Sequence, residues 1–293
     1  MEWWFRMYLT LARALGYAIV WTAHDLTPHE KVFDDDLRAR DFLISKSSAV
    51  IALSEASARE LRALGANEVR VIPIGSYSEP YPVSLTREQA RASFDFSDED
   101  VVVAQIGRVE KYKGADLLLQ AASRLPRNSN VKILIAGSCV DEDYRRDLTQ
   151  LLRDTQGRVV AEFGWLQNSD LARYLQAADY AAFPFREVTN SGSILLAQSF
   201  GLPVIVPNLP SLDDIPNESA IRFEAGSVAS LVDALLEVEK MQDVRYDAMS
   251  AAGLAWSGRS DWTKIAQRTI ETYRAVSDRR RSLSTEITTR DET

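Results

Sequence analysis

The 293-residue chain is poor in the residues that build disulfide frameworks and metal centres. It has one cysteine, Cys139, which excludes an intrachain disulfide and a cysteine-cluster zinc site. Two histidines, His24 and His29, are too few for a histidine-rich metal site. No run reaches the ~18 uninterrupted apolar residues of a membrane span. The most apolar stretch, Trp3 to Trp21, is broken by Arg6 and Arg13. No small-residue cleavage site follows it, so it does not read as a signal peptide, and a cytoplasmic protein is expected. Lys and Arg number 34 against 42 Asp and Glu, a net charge of −8 that argues against a general nucleic-acid partner. Neither a Walker A sequence nor a G-x-G-x-x-G fingerprint occurs, which counts against nucleoside triphosphatases and dehydrogenases.

What is present is apolar material in short, regularly spaced runs. Hydrophobic residues make up 46% of the chain, enough for a sizeable core, and the length suits two domains. Val101 to Ile106, Val131 to Ala136 and Val159 to Phe163 are apolar runs that end at Gly107, Gly137 and Gly164. Tyr180 to Phe185, Val204 to Val206 and Ser219 to Phe223 continue the series. Runs of this kind read as strands buried on both faces. Helical spacing lies between them, as in Leu117, Leu118, Ala121, Ala122 and Leu125, and Ser227 reads as an N-cap. The alternation predicts an α/β fold with a parallel sheet covered by helices.

Residues 1–80 carry a second, shorter alternation: a helix near Tyr8 to Leu15, strands at Ala18 to Thr22, Val50 to Leu53 and Val69 to Ile72, and helices at Leu37 to Ser45 and after Ser54. Three strands make an incomplete domain of this type, which a partner chain could complete. Pro73 to Ser97, with Pro80 and Pro82, reads as a linker. Residues 81–260 form the second domain, a helix within 261–278 follows, and 279–293 read as a frayed tail. Trp3, Trp4 and Phe5 suit either a membrane interface or a helix packed on a sheet, and the packed helix is the expectation.

The polar residues of the second domain collect where strands end. Gly107-Arg108, Lys111 and Lys113-Gly114 follow the first strand, Gly137-Ser138 the second and Gly164-Trp165 the third. Arg186-Glu187 and Thr189-Asn190-Ser191-Gly192-Ser193 follow the fourth. Ligands of open parallel sheets bind at that edge. Two cations beside a helix N-terminus suit a diphosphate. A lone arginine or lysine there is a solvated charge; their convergence points to phosphate.

The stretch Ile106-Gly107-Arg108 through Lys113-Gly114-Ala115-Asp116 resembles the G-R…K-G-x-D element of GT-B glycosyltransferases of family 4. Ala136-Gly137, Phe163-Gly164-Trp165 and Ala178-Asp179 match further landmarks in order. Phe183 to Ala197 and Gly201-Leu202-Pro203-Val204-Ile205 resemble the donor-site block, in a variant similar to exopolysaccharide, mannosyltransferase-like members. Upstream, Trp21-Thr22-Ala23-His24-Asp25 is similar to the strand that ends in an active-site histidine. Val71 to Tyr77 resembles the interdomain segment, and Trp262 to Tyr273 the helix that crosses back.

The resemblance implies two Rossmann-like domains facing a cleft, the first shortened. It implies a hexosyltransferase-type enzyme that moves a sugar, with retention, from a nucleotide-diphosphate sugar to a glycan, lipid-linked or other glycoconjugate acceptor, with no metal or other cofactor. Arg108 and Lys113 would hold the diphosphate, assisted by amides near Ser191, Gly192 and Ser193, with Gly137 and Asn190 beside them. Gly164, Trp165 and Leu166 would lie near the nucleobase. Glu187 would contact the sugar and His24 the reacting centre. The paired glutamates of the family fall on Val188, with Glu187 adjacent, and on Leu196, where the ribose carboxylate is lost. A nucleotide-sugar-binding or partner subunit of a split glycosyltransferase is the alternative, and contact with the inner face of a membrane fits either.

Other polar residues have plainer readings. His29-Glu30 sits on a loop that could meet an acceptor. Asp34-Asp35-Asp36 precedes a helical pattern and reads as its cap rather than as a metal motif. Cys139 has nothing placed to activate it, and Asp213-Asp214 reads as exposed.

Overall fold

The computed structural model describes residues 2–28, 31–75, 85–259 and 261–290, with side chains through 279. His29, Glu30 and the segment 76–84 with Pro80 and Pro82 lie outside the described residues. The chain divides into two compact units, Met1–Gly75 with Ser260–Thr293, and Ser76–Arg259.

The first unit opens with α1 (Glu2–Ala14) and β1 (Val20–Ala23), followed by α2 (Asp36–Lys46), β2 (Ala49–Ala52), α3 (Glu55–Ala63) and β3 (Val69–Val71). The strands form a parallel sheet in the order β1-β2-β3. Val50, Ala52, Ala58 and Leu61 are buried between strand and helix, as β-branched residues on a sheet and a small-residue helix face require. Asp35 caps α2 by accepting the Arg38 amide at 2.9 Å, the role expected of that acidic run. Ser54 and Ser57 make a reciprocal capping box on α3.

α1 departs from the expectation of a helix packed on a sheet. It lies against α2, where the Phe5 and Phe33 rings are 5.1 Å apart and the Arg6 guanidinium is 4.9 Å from the Phe42 ring centroid. Leu9 is its one buried residue, while Trp3, Trp4 and Tyr8 are 65%, 65% and 70% exposed.

The second unit begins with α4 (Arg87–Ala92), inside the stretch that reads as a linker. Thr86 and Gln89 form its capping box. Arg91 is 2% exposed, and its guanidinium bonds Asp179 and the Ser97 and Asp100 carbonyls. Asp179 also accepts the Val102 amide at 2.8 Å, so the helix is tied to two strand ends. Burial of this cation is supported because each side of the guanidinium has an acceptor.

Then follow β4 (Val101–Ile106), α5 (Ala115–Arg124), β5 (Val131–Ala136), α6 (Glu142–Leu152), β6 (Val159–Glu162), α7 (Asn168–Ala177) and β7 (Tyr180–Ala182). The unit closes with α8 (Gly192–Ser199), β8 (Val204–Pro207), β9 (Ala220–Phe223), α9 (Val228–Glu239) and α10 (Asp243–Ser257). The six strands are parallel and ordered β6-β5-β4-β7-β8-β9. Leu118, Leu119, Leu148 and Ile133 fill one face of the sheet, and Leu134, Tyr174, Phe183 and Leu196 the other. Fully burying such an aliphatic side chain contributes about 1.5–3 kcal/mol.

β7 ends at Ala182 rather than at Phe185, because Pro184 lacks the amide that a central strand needs. α11 (Trp262–Arg290) returns to the first unit. Its Arg268 donates to the Val71 carbonyl at the end of β3, and Arg279 pairs with Glu68 at 3.0 Å. A Cβ on Gly75 would lie 2.3 Å from the Trp262 ring, so glycine lets the chain pass the helix. Within the stretch read as a frayed tail, α11 continues through Arg290 with no glycine or proline to interrupt it, and 291–293 lie outside the described residues. Among the described residues, no helix is long and apolar enough to cross a membrane.

Candidate functional site

The strand order reverses between β4 and β7, whose connections leave on opposite sides. A crevice opens beyond the carboxyl ends of two such strands. Gly107 ends β4 with φ +102°, a conformation that L side chains avoid. A Cβ there would lie 2.7 Å from Ser193 Oγ and 3.6 Å from Lys113 Nζ. Thus the end of β4, the lysine of the following turn and the N-terminus of α8 meet at one point. Gly137 at the end of β5 is packed even closer, since its Cβ would fall 1.8 Å from the Gly107 carbonyl oxygen.

Ser191 caps α8 by accepting the Ile194 amide at 3.3 Å, while the first-turn amides of Gly192 and Ser193 have no partner of their own within the helix. Lys111–Lys113 form a single 3₁₀ turn closed by Gly114 in the left-handed conformation, φ +69°. A Cβ on Gly114 would meet the Pro184 carbonyl oxygen at 2.0 Å, so this glycine seats the β4 turn on the β7 loop.

The cations around the crevice are not equivalent. Arg108 pairs with Glu110, and Lys111 with Asp141 at 3.5 Å. Arg186 chelates Asp116 through Nη1 to Oδ1 at 2.9 Å and Nη2 to Oδ2 at 2.6 Å. Lys113 forms no ion pair among the described residues, and its ammonium lies 5.8 Å from the Tyr112 ring centroid. Burial lowers the Lys113 pKa from its usual value, with Arg108 adding to the effect and Glu110 opposing it. An anion entering the crevice would relieve that cost.

Asp116 is the centre of a second network. Tyr144 donates its hydroxyl to Asp116 Oδ1 at 2.7 Å and accepts the Asp116 amide at 3.3 Å. Burial works against the Asp116 charge, and the bonds from Arg186 and Tyr144 outweigh it, so the carboxyl sits below its ordinary range. Arg186 is held above its ordinary value by the same bond, and the Tyr144 hydroxyl is pushed up by burial and by Asp116. The network borders an open groove of about 640 Å³ between α5 and α6.

The structure brings Arg108, Lys113, Gly137, Ser191, Gly192 and Ser193 to this sheet edge, on the ends of β4, β5 and the start of α8. Glu187 and Asn190 lie on the loop between β7 and α8, with Glu187 exposed. Gly164, Trp165 and Leu166 follow β6. Trp165 is 87% exposed, and Leu166 packs against the core. Leu196, expected among the donor-binding residues, lies on α8, is 6% exposed and belongs to the core cluster. His24 stands exposed just after β1 in the first unit, its amide bonded to the Thr22 carbonyl at 3.2 Å. Cys139 is buried, and burial with the nearby Asp141 charge raises its thiol pKa. Asp213 and Asp214 are exposed as expected. The Arg186–Asp116–Tyr144 network was not visible in the sequence, since its members come from three separate elements and share no spacing.

Comparison with known proteins gives the same assignment along most of the chain. Residues 100–240 match the model of glycosyl transferases group 1, and residues 2–76 that of Glycosyltransferase Family 4. A D-inositol 3-phosphate glycosyltransferase of Mycobacterium leprae is 28% identical over 202 residues, covering 66% of this chain and 46% of the relative. One from Segniliparus rotundus is 24% identical over 282 residues, covering 89% and 62%. The chain thus spans about half the length of the curated relatives it matches. Among solved structures, sucrose-phosphate synthase from Thermosynechococcus elongatus superposes with a TM-score of 0.79 at 20% identity, covering 94% of this chain and 71% of that one. Anabaena HepE, in complex with UDP and glucose, gives 0.79 at 19%, covering 93% and 76%. With its strand order, its glycine-lined sheet edge and both family matches in agreement, the chain belongs to the GT-B glycosyltransferases of family 4.

Proposed function

We propose that the protein transfers a hexose from a nucleotide-diphosphate sugar to a glycan, lipid-linked or other glycoconjugate acceptor. The observation that carries this reading is Lys113, a half-buried ammonium without an ion pair among the described residues, set beside Ser193 at the start of α8. A diphosphate there would meet the Lys113 charge, the Arg108 guanidinium and the free amides of α8. As the sugar-phosphate bond breaks, negative charge grows on the departing nucleotide. These fixed donors stabilise it more in the transition state than in the ground state. The mechanism therefore needs no metal. Glu187 bonds the sugar hydroxyls, the exposed Trp165 ring stacks on the base, and His24 keeps the catalytic part that its family motif gives it. Retention follows the family. The UDP and glucose bound by HepE support a UDP-sugar donor.

A second reading, a nucleotide-sugar-binding or partner subunit without turnover, is favoured by Leu196, because no carboxylate stands at that position for the ribose. The deciding experiment is thermal stabilisation by UDP, GDP, ADP and their sugar conjugates, with release of free sugar followed in the same samples and with EDTA present. A ligand at 100 times its Kd adds about 2.7 kcal/mol of stability. One nucleotide that stabilises the protein and slowly loses its sugar supports the transferase. Stabilisation without sugar release, even with acceptor glycans added, supports the binding subunit. No stabilisation by any nucleotide refutes both, and loss of activity in EDTA refutes the metal-independent mechanism.

A further inference from the structure

We propose that Arg186 is a positioning residue that clamps the Lys111–Lys113 turn to the β7 loop and so fixes where the Lys113 ammonium stands. That the held lysine meets a donor diphosphate rests on the reading above; the clamp itself rests on geometry.

The three carbonyls of the turn are each held from outside it. Arg186 Nη1 donates to the Lys111 carbonyl at 2.6 Å, and the Arg186 backbone amide donates to the Tyr112 carbonyl at 2.7 Å. The buried Gln105 side chain donates to the Lys113 carbonyl at 3.0 Å. Two of the three anchors belong to one residue. The guanidinium is itself oriented by both Asp116 oxygens, and Asp116 by the Tyr144 hydroxyl. The Tyr112 and Phe185 rings stack at 6.4 Å with planes 15° apart, and Gly114 gives the Pro184 carbonyl room. The two Arg186 bonds, the Tyr112–Phe185 stack and the Gly114–Pro184 approach all join the same two loops, the one that carries Lys113 and the one that carries Glu187, while Gln105 anchors the turn from β4.

A single 3₁₀ turn holds few bonds of its own, here Lys113 to Glu110 at 2.9 Å and Gly114 to Lys111 at 3.2 Å. Without outside anchors it would sample many conformations. Only arginine can serve both partners, because its planar fork spans the carboxylate while another N–H reaches the carbonyl. Lysine offers one point of charge. The Arg186 side chain is 41% exposed, so the pair adds little global stability and its effect is local.

The test compares wild type, Arg186→Ala, Arg186→Lys and Asp116→Asn in two measurements. Amide hydrogen exchange over residues 110–116 reads the clamp without any ligand. Steady-state kinetics with the UDP-sugar that the wild type hydrolyses read its consequence. Arg186→Ala should exchange faster in this segment alone, with KM for the donor up about tenfold, equal to 1.4 kcal/mol, and kcat changed much less. Arg186→Lys and Asp116→Asn should fall between it and wild type. Unchanged exchange with unchanged KM overturns the proposal. So does a fall in kcat and melting temperature at constant KM, which is what a purely structural role gives. If the wild type binds no nucleotide, the donor reading fails. Faster local exchange in Arg186→Ala still upholds the clamp in that case, and unchanged exchange overturns it.

Discussion

Replacing Lys113 by methionine should separate ligand binding from stability. The fold holds this ammonium away from water and lowers its pKa, a cost borne while the group is charged. Methionine keeps an unbranched side chain, one atom shorter, and removes the charge. The Lys113→Met protein should therefore melt at the wild-type temperature or above it, while its affinity for a nucleoside diphosphate falls. A hydrogen bond to a charged group contributes about 1.5–3 kcal/mol, or roughly 10- to 150-fold in Kd. Between the lowered native pKa and the ordinary 10.5, the unfolded chain keeps a proton that the native state has shed. Wild-type stability should thus rise with pH through that window, and the variant should lose this rise. Nucleotide affinity should move the other way, weakening as the ammonium deprotonates. Melting curves and calorimetric titration with UDP and GDP, from neutral to alkaline pH, read both effects. The reasoning is refuted if the variant binds as tightly as wild type and loses about 2–5 kcal/mol of stability, as a truncated core leucine would.

Gly137→Ala places a methyl group 1.8 Å from the Gly107 carbonyl, so β4 must shift; a loss of roughly 6 °C or more in melting temperature is expected, and a change within about 2 °C contradicts it. Leu196→Glu restores the residue type that the family carries but buries a carboxylate; it should lower stability sharply without improving nucleotide affinity, and tighter UDP binding at an unchanged melting temperature would show that α8 faces the crevice there. Asp179→Asn leaves the buried Arg91 cation without its charge partner and should cost about 3–5 kcal/mol in a denaturant titration, more than replacing both residues by apolar ones. Trp165→Ala should leave the melting temperature alone and weaken UDP by about 1–3 kcal/mol while leaving pyrophosphate binding unchanged; equal weakening of both ligands would remove the stacking role.

The architecture was legible where one residue type punctuates the chain. The first three apolar runs from Val101 end at glycines, and two of those, Gly107 and Gly137, meet at the sheet edge because only glycine allows the approach of Gly137 to the Gly107 carbonyl or of Gly107 to Ser193. α4 was hidden by its shortness and by the prolines before it, although Thr86 and Gln89 stand in capping-box spacing. α10 was hidden for a different reason. It buries Met249, Gly253 and Ser257, a face of mixed and mostly small residues that gives no apolar period. The exposure of Trp3, Trp4 and Tyr8 went against the usual reading of an aromatic-rich helix, because α1 rests on α2 through Phe5 and Arg6. At the site, Arg108, Lys113 and the Ser191–Ser193 turn could be read from their places after strands. The distinct states of the cations could not. Which of them is paired depends on Glu110, Asp141 and Asp116, and Asp116 meets Arg186 across two loops that the sequence keeps far apart.

The pairing of β4 with β7 also sets an order of assembly. β4, β5 and β6 are joined by successive local crossovers, whereas about 70 residues separate the end of β4 from the start of β7. At roughly 5–20 residues per second, a ribosome needs about 4–15 s to make that interval. During it, Arg91 has its carbonyl partners but lacks Asp179, the Lys111–Lys113 turn lacks Arg186, and the inner edge of β4 is open. An open parallel edge invites wrong partners, so the nascent half-sheet is the stage at which this chain is most exposed to misassembly and to chaperone capture. The sheet edge that carries the proposed diphosphate site is complete only when the second half of the sheet arrives, so nucleotide binding there would report that β7 and α8 have joined β4.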